Sequence, residues 1–326
     1  MSSRLQCFWL GVRLFLGNYT SSGEREPKPQ RLTIASGAQL ELYEPNKQVR
    51  KSVLLISGVS ILGEEEPRLI RLARSLNATG VRVVLTVLPG LKSLRFEKTD
   101  LETARDCLRY LLKHYDHPAN IVAFSAGGSI ALTLASEPEF SKHIKLVALF
   151  SPIYDPHETL KIVDAIARTP ITDFQNADDE IWIHIVNAYR NAETLGFTQA
   201  DKDSIKKVLQ RYTLGLSTAE KITFHQSIIV KHPMNGHAQL NENEALNAVS
   251  PIGKLKDSTA RVIVIHDAHD FVVPVTHMQA LEQELNQRTP PDNRLLITPA
   301  ISHVTLRPKY ILDVLQMVDM IGELYT

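Results

Sequence analysis

Within this chain of 326 residues, Ser125 is the side chain best placed to act as a nucleophile. It ends the apolar run Asn120-Ile121-Val122-Ala123-Phe124 and is followed by Ala126-Gly127-Gly128-Ser129-Ile130-Ala131-Leu132, so it stands where a strand pattern gives way to a small-residue helical pattern. A serine hydroxyl attacks a carbonyl only when a base takes its proton and a third group orients that base. Both kinds of group follow apolar runs further along the chain. Asp267 and Asp270, with His266 and His269, come after the run at 261–265, and His303 comes after the run at 294–298. Nucleophilic acyl transfer is the chemistry that such a set could perform. Each residue alone has a plainer role: Ser125 as a helix N-cap, one of the two aspartates as a solvated turn residue, a histidine beside an acid as a structural hydrogen-bonder.

The elements that must position these residues are legible as alternating patterns. After a polar linker at 21–30 with Pro27 and Pro29, apolar stretches at 32–34 and 40–43 flank Ser36-Gly37 and predict an antiparallel hairpin. Apolar runs at 52–56, 81–88, 120–124, 144–150, 261–266 and 294–298 suit parallel strands covered on both faces. Helical spacing over 64–79, 101–114, 126–135, 276–286 and 309–324 separates them. The alternation breaks between 152 and 256. There Ile181, Trp182, Ile185, Val186 and Tyr189 make one amphipathic face, and Ile205, Val208, Leu209 and Tyr212 make another. The expected organisation is an N-terminal apolar helix and linker at 1–30, an α/β core from 31–151 and 257–326, and a helical insertion at 152–256. Strands alternating with helices imply a mainly parallel sheet with helices on both faces, whose site lies at the carboxyl edge.

Composition narrows the partners. With 36 basic and 36 acidic residues the formal net charge is zero, which lacks the electrostatic footprint of a nucleic-acid binder. Cys7 and Cys107 form neither a ligand pair nor a disulfide framework, in keeping with a reducing, cytoplasmic setting. The apolar segment at 5–16 contains Arg13 and is too short to span a bilayer. Packing on the domain is its expected role, with peripheral contact to a membrane surface as the alternative. His225, His232 and His237 are spaced by seven and five residues, which puts them on no common helix face, so no metal and no cofactor are expected. Trp182, Tyr189, Phe197, Tyr212 and Phe224 could line an acyl pocket, but their helical spacing assigns most of them to packing. Nothing in the sequence sets the oligomeric state.

Four separately placed signatures give the chain a resemblance to the α/β-hydrolases. Residues 123–127, Ala-Phe-Ser-Ala-Gly, resemble the family's G-x-S-x-G nucleophile elbow with Ala123 for the first glycine. Ile265-His266-Asp267-Ala268-His269-Asp270-Phe271-Val272-Val273-Pro274 is similar to the family's I-H-G-x-x-D-x-x-V-P segment, with Asp267 for its glycine. Ser57-Gly58-Val59 looks like its H-G-x oxyanion loop, with Ser57 for the histidine, and His303 falls where the family's histidine follows the last strand, Ser302 replacing the glycine often found before it. The resemblance covers 31–150 and 259–326 and the chain order Ser, Asp, His agrees with it. It implies a mainly parallel eight-stranded sheet with an inserted helical cap. It further implies Ser125 as nucleophile, His303 as base and then acid, Asp270 as orienting carboxylate, and the backbone N–H groups of Val59 and Ala126 as oxyanion donors. The expected activity is that of a serine hydrolase cleaving a small-molecule carboxylic ester through an acyl-enzyme. An acyltransferase, a thioesterase or a catalytically silent binding protein on the same scaffold are the alternatives.

Overall fold

The computed structural model describes residues 28–325 except 47, 50, 116–117, 175–176, 213–214, 232–242, 289–291, 304 and 308, together with Trp9, Gly11 and Val12. Eight strands form one sheet: β1 (Gln30–Thr33), β2 (Gln39–Tyr43), β3 (Lys51–Ile56), β4 (Val81–Thr86), β5 (Ala119–Phe124), β6 (Ile144–Phe150), β7 (Arg261–Asp267) and β8 (Asn293–Thr298). Their order is β1-β2-β4-β3-β5-β6-β7-β8. Only the pairings β1–β2 and β2–β4 are antiparallel, and every pair from β4 to β8 is parallel. The early hairpin and the parallel core therefore share a single sheet.

The apolar runs form strands because both faces of the sheet are covered. On β3 and β5, Leu54, Ile56, Ile121 and Ala123 face one core, and Val53, Leu55 and Val122 face the other. The first core is closed by α3 (Lys98–His114), α4 (Ala126–Ser136) and α10 (Val275–Leu285), through residues such as Leu108, Ile130 and Leu281. The second is closed by α1 (Pro67–Ala78) and α11 (Ile311–Gly322), through Leu69, Leu76, Val314 and Met317. A short helix, α2 (Pro89–Lys92), follows β4, and buried Asp100 accepts from its Gly90 and Leu91 amides at 3.0 and 2.9 Å. That carboxylate satisfies helix N–H groups that have no partner within their own helix.

Between β6 and β7 come α5 (Pro156–Arg168), α6 (Asp178–Arg190), α7 (Gln199–Tyr212), α8 (Thr218–Lys231) and α9 (Asn243–Val249). Helix α9 packs with the first core through Ala245, Leu246 and Val249. The other four surround a separate apolar cluster that includes Ile181, Ile185, Phe197, Ile205, Leu209 and Ile228. Phe197 and Tyr212 are buried in it, and Trp182, Tyr189 and Phe224 pack against it half-buried. Val59, Phe271 and Val272 are packed against the same cluster, so these helices touch two loops at the carboxyl edge of the sheet.

Of the apolar N-terminal segment, only Trp9, Gly11 and Val12 lie among the described residues. The backbone at Gly11 rests on α11, where an added Cβ would stand 2.4 Å from the Val318 carbonyl oxygen, while Trp9 is 53% exposed. Among the described residues no helix is long and apolar enough to cross a membrane. Cys7, His232, His237 and most of the 21–30 linker lie outside the described residues.

His225 pairs with a histidine that the sequence did not single out. His184 Nε2 is 2.9 Å from the Ile166 carbonyl oxygen and must donate to it, which leaves His184 Nδ1 to accept from His225 Nε2 at 2.9 Å. Among the described residues His225 Nδ1 has no partner, and both rings are buried. With both imidazoles neutral these two hydrogen bonds are satisfied. Burial lowers the pKa of His184 against the raising influence of the Ile166 and Thr169 carbonyls and Glu180; burial and the neighbouring His184 push His225 down to about 4. The unfolded chain then binds protons that the folded chain does not, so stability is lost as the pH falls from the ordinary histidine range toward 4. The thermal midpoint of the wild type is expected to drop by roughly 3 °C more than that of His225→Gln between pH 7 and pH 5. Parallel pH dependence of the two melting curves would show that the pair does not titrate on unfolding.

Candidate active site

Ser125 joins β5 to α4 with φ 47° and ψ −120°, a region that side-chain-bearing residues rarely enter. The turn is tight because the next segments approach it closely. A Cβ at Gly127 would lie 2.3 Å from the Ser57 carbonyl oxygen, and one at Gly128 2.5 Å from Pro152 Cβ. Both glycines are therefore fixed by space. Ala123 is fully buried with its methyl accommodated, so this turn does not need a glycine at its first position.

His303 stands at the turn of a small hairpin made by β9 (Ile301–Ser302) and β10 (Thr305–Leu306), with Ser302 paired to Thr305. Its φ is 50°, a conformation that costs a residue with a side chain about 1–2 kcal/mol. Its ring lies between the two other groups. Nε2 is 2.9 Å from Ser125 Oγ, and Nδ1 is 2.6 Å from Asp270 Oδ2. With the Nδ1 proton donated to the carboxylate, the Nε2 lone pair faces the serine hydroxyl. The side chain of His303 is 36% exposed and that of Asp270 only 2%, so the ring opens to solvent on one side while the acid is sealed.

Asp270 stays charged despite its burial. Burial would raise its pKa, but the hydrogen bond and charge of His303, the Val273 amide and His266 outweigh it and hold the carboxyl below the usual aspartate range. Its Oδ1 accepts from the Val272 and Val273 amides at 3.1 and 2.9 Å. His266, wholly buried, donates from Nε2 to the Val273 carbonyl at 2.9 Å, and burial lowers its pKa. Of the rivals for the acid and base, then, His266 braces the loop that bears Asp270.

Asp267 is not a solvated turn residue. It is buried, accepts from the His269 amide through Oδ1 and from the His303 amide through Oδ2, both at 2.9 Å. Burial excludes water from a carboxylate only where donors replace it, and here two backbone N–H groups do so. Ser151, which the sequence did not mark, is also at the site. It is fully buried, has φ 42°, and donates from Oγ to the His303 carbonyl at 2.6 Å.

The two amides expected to face an oxyanion belong to segments adjoining the serine. Ala126 is the first residue of α4, where an N–H has no acceptor one turn back. Val59 follows Gly58, whose added Cβ would lie 3.1 Å from both Ser125 Cβ and the Phe124 carbonyl oxygen, so its loop crosses beside the serine. Among the described residues no group of three or more side chains is arranged to hold a metal ion.

Residues 65–304 match the family model described as alpha/beta hydrolase fold. No curated protein matches the chain in sequence. Among solved structures, a puromycin-hydrolyzing peptidase of Mycobacterium tuberculosis is similar with a TM-score of 0.55 at 12% identity over 91% of this chain. The chain spans only 39% of that peptidase's length. A candidate esterase of Staphylococcus aureus has a TM-score of 0.51 at 14% identity, covering 98% of this chain and 94% of its own. The Francisella virulence factor BioJ has a TM-score of 0.53 at 14% identity, covering 99% and 96%. At these identities the structural likenesses speak for the fold, and the family match extends from the helix before β4 to the hairpin of His303. The chain belongs to the α/β-hydrolase family.

Proposed function

We propose that the protein is a serine hydrolase of carboxylic esters that works through an acyl-enzyme. The observation that supports it most directly is the unbroken line of hydrogen bonds from buried Asp270 through His303 to Ser125. His303 Nε2 takes the hydroxyl proton as Ser125 Oγ attacks the ester carbonyl. Negative charge then gathers on the carbonyl oxygen, and the Val59 and Ala126 amides are the donors assigned to it, each contributing about 3–4 kcal/mol of barrier reduction. The imidazolium returns its proton to the leaving alcohol, leaving Ser125 acylated. Water, deprotonated by the same nitrogen, releases the acid and restores the serine. Asp270 stays ionised throughout and stabilises the imidazolium through Nδ1. Esters are the class assigned because an alcohol leaves with less proton assistance than an amine. The helices over the carboxyl edge, through their contact with Val59, Phe271 and Val272, are assigned the selection of the acyl group.

Labelling with a fluorophosphonate tests the nucleophile. Wild-type protein is expected to gain one covalent adduct on Ser125 and to lose turnover of p-nitrophenyl esters, while Ser125→Ala stays unlabelled. Equal labelling of both proteins, or of neither, would remove the serine from the mechanism. The acid has its own test in steady-state kinetics. Asp270→Asn is expected to lower kcat by roughly 10³–10⁴-fold, because the amide no longer fixes the tautomer that turns a lone pair to Ser125. A loss under tenfold would take the orienting role away from Asp270.

A further inference from the structure

We infer that Asp267 and Ser151 are positioning residues that grip the backbone of His303 from both sides and hold its ring on the line between Asp270 and Ser125. This rests on the reading of His303 as the base. Asp267 Oδ2 accepts the His303 N–H at 2.9 Å, and Ser151 Oγ donates to the His303 carbonyl at 2.6 Å. The two bonds hold both polar groups of one residue, and that residue has a positive φ of 50° at a hairpin turn. Such a conformation persists only where the surroundings over-determine it. Neither grip comes from the hairpin itself: Asp267 ends β7 and Ser151 follows β6, so the base is anchored to two neighbouring strands of the sheet.

Each anchor is itself held. Asp267 spends its other oxygen on the His269 amide, and the Ser151 N–H donates to the Ile265 carbonyl at 2.8 Å. Among the described residues, four with side chains have positive φ: Leu94, Ser125, Ser151 and His303. Three of the four meet at this site, which is where stored backbone strain is expected to accumulate. A turn-forming role explains the Asp267 bond to His269 two residues on, but not the second oxygen turned to a residue 36 positions away. Likewise a serine that only ended β6 would have no need of φ 42° and a bond to residue 303.

The test uses the full chain carrying Ser151→Gly, Asp267→Asn or both, with p-nitrophenyl acetate as substrate and a fluorophosphonate to count reactive serines. Glycine adopts the φ of Ser151 without penalty, so that variant deletes the hydroxyl and leaves the fold at ease. Asn keeps one acceptor and leaves one of the two amides unmatched. In each single variant kcat per titrated site is expected to fall about 10–100-fold, as a small misplacement of a catalytic group does. KM is expected to stay within about twofold, since no substrate contact is removed. Labelling still reaches one adduct per chain, at a slower rate. The double variant loses less than the product of the single effects because both residues hold one backbone. Unchanged kcat per titrated site in Ser151→Gly, a rise in KM at constant kcat, or activity loss that follows only the loss of titratable protein would each overturn the inference. A wild type that takes up no fluorophosphonate would instead overturn the serine-hydrolase reading itself.

Discussion

The carboxyl edge of this sheet depends on backbone hydrogen bonds that continue past the ends of the strands. The Ser125 N–H donates to the Phe150 carbonyl, the Ser151 N–H to the Ile265 carbonyl, and the Ala268 N–H to the Thr298 carbonyl. Four successive strand ends, β5 to β8, are thereby tied in a row. Parallel pairing would ordinarily let the chains splay where the strands finish. Here each chain is still bonded to its neighbour at the residue where it turns away. Ser125 and Ser151 turn away with positive φ at that point, and the ties oppose the relaxation that would relieve them.

The polar groups gathered at this edge are stable because almost every one is matched. Asp270 accepts three hydrogen bonds and Asp267 two, each to a backbone amide or to His303. A hydrogen bond to a charged group is worth roughly 1.5–3 kcal/mol net, and leaving such a buried group unmatched costs more than that. The two carboxylates lie three residues apart, Asp267 at the end of β7 and Asp270 in the loop that follows. The loop keeps them functionally distinct by geometry: Asp270 faces the imidazole ring and Asp267 faces the peptide that carries it. His266, neutral in its buried position, ties the far end of the loop through the Val273 carbonyl.

Much of this was legible in the sequence, and what was not has definable causes. Continuous apolar runs identified the parallel strands because a sheet covered on both faces has no polar side to show. Gly127 was readable as the last position of the G-x-S-x-G pattern, where close backbone approach leaves no room for a side chain. The resemblance to the family's I-H-G-x-x-D-x-x-V-P segment pointed to Asp270, the aspartate whose carboxylate meets His303. The role of Asp267 was not legible, because burial and a partner 36 residues away are tertiary properties; in sequence it stood only as a rival to Asp270, with a solvated turn role left open for one of the two. Ser151 carried no signal at all. A serine after an apolar run is commonplace, and its significance lies in a φ value and in a partner 152 residues away. The His184–His225 pair was invisible for the same reason, since its members sit on different helices 41 residues apart.

The two kinds of contact at the edge divide the labour between sheet and insertion. Ser125, Asp270 and His303 are held to one another and to the strands by hydrogen bonds, which are directional and fail when a donor moves by a fraction of an ångström. The inserted helices reach this region through the apolar side chains of Val59, Phe271 and Val272, and apolar contact is non-directional and tolerant of small sliding. Val272 lies at the boundary between them: its amide is bonded to Asp270 Oδ1 while its side chain packs against the helices. That residue links the packing of the helices to the position of the Asp270 carboxylate.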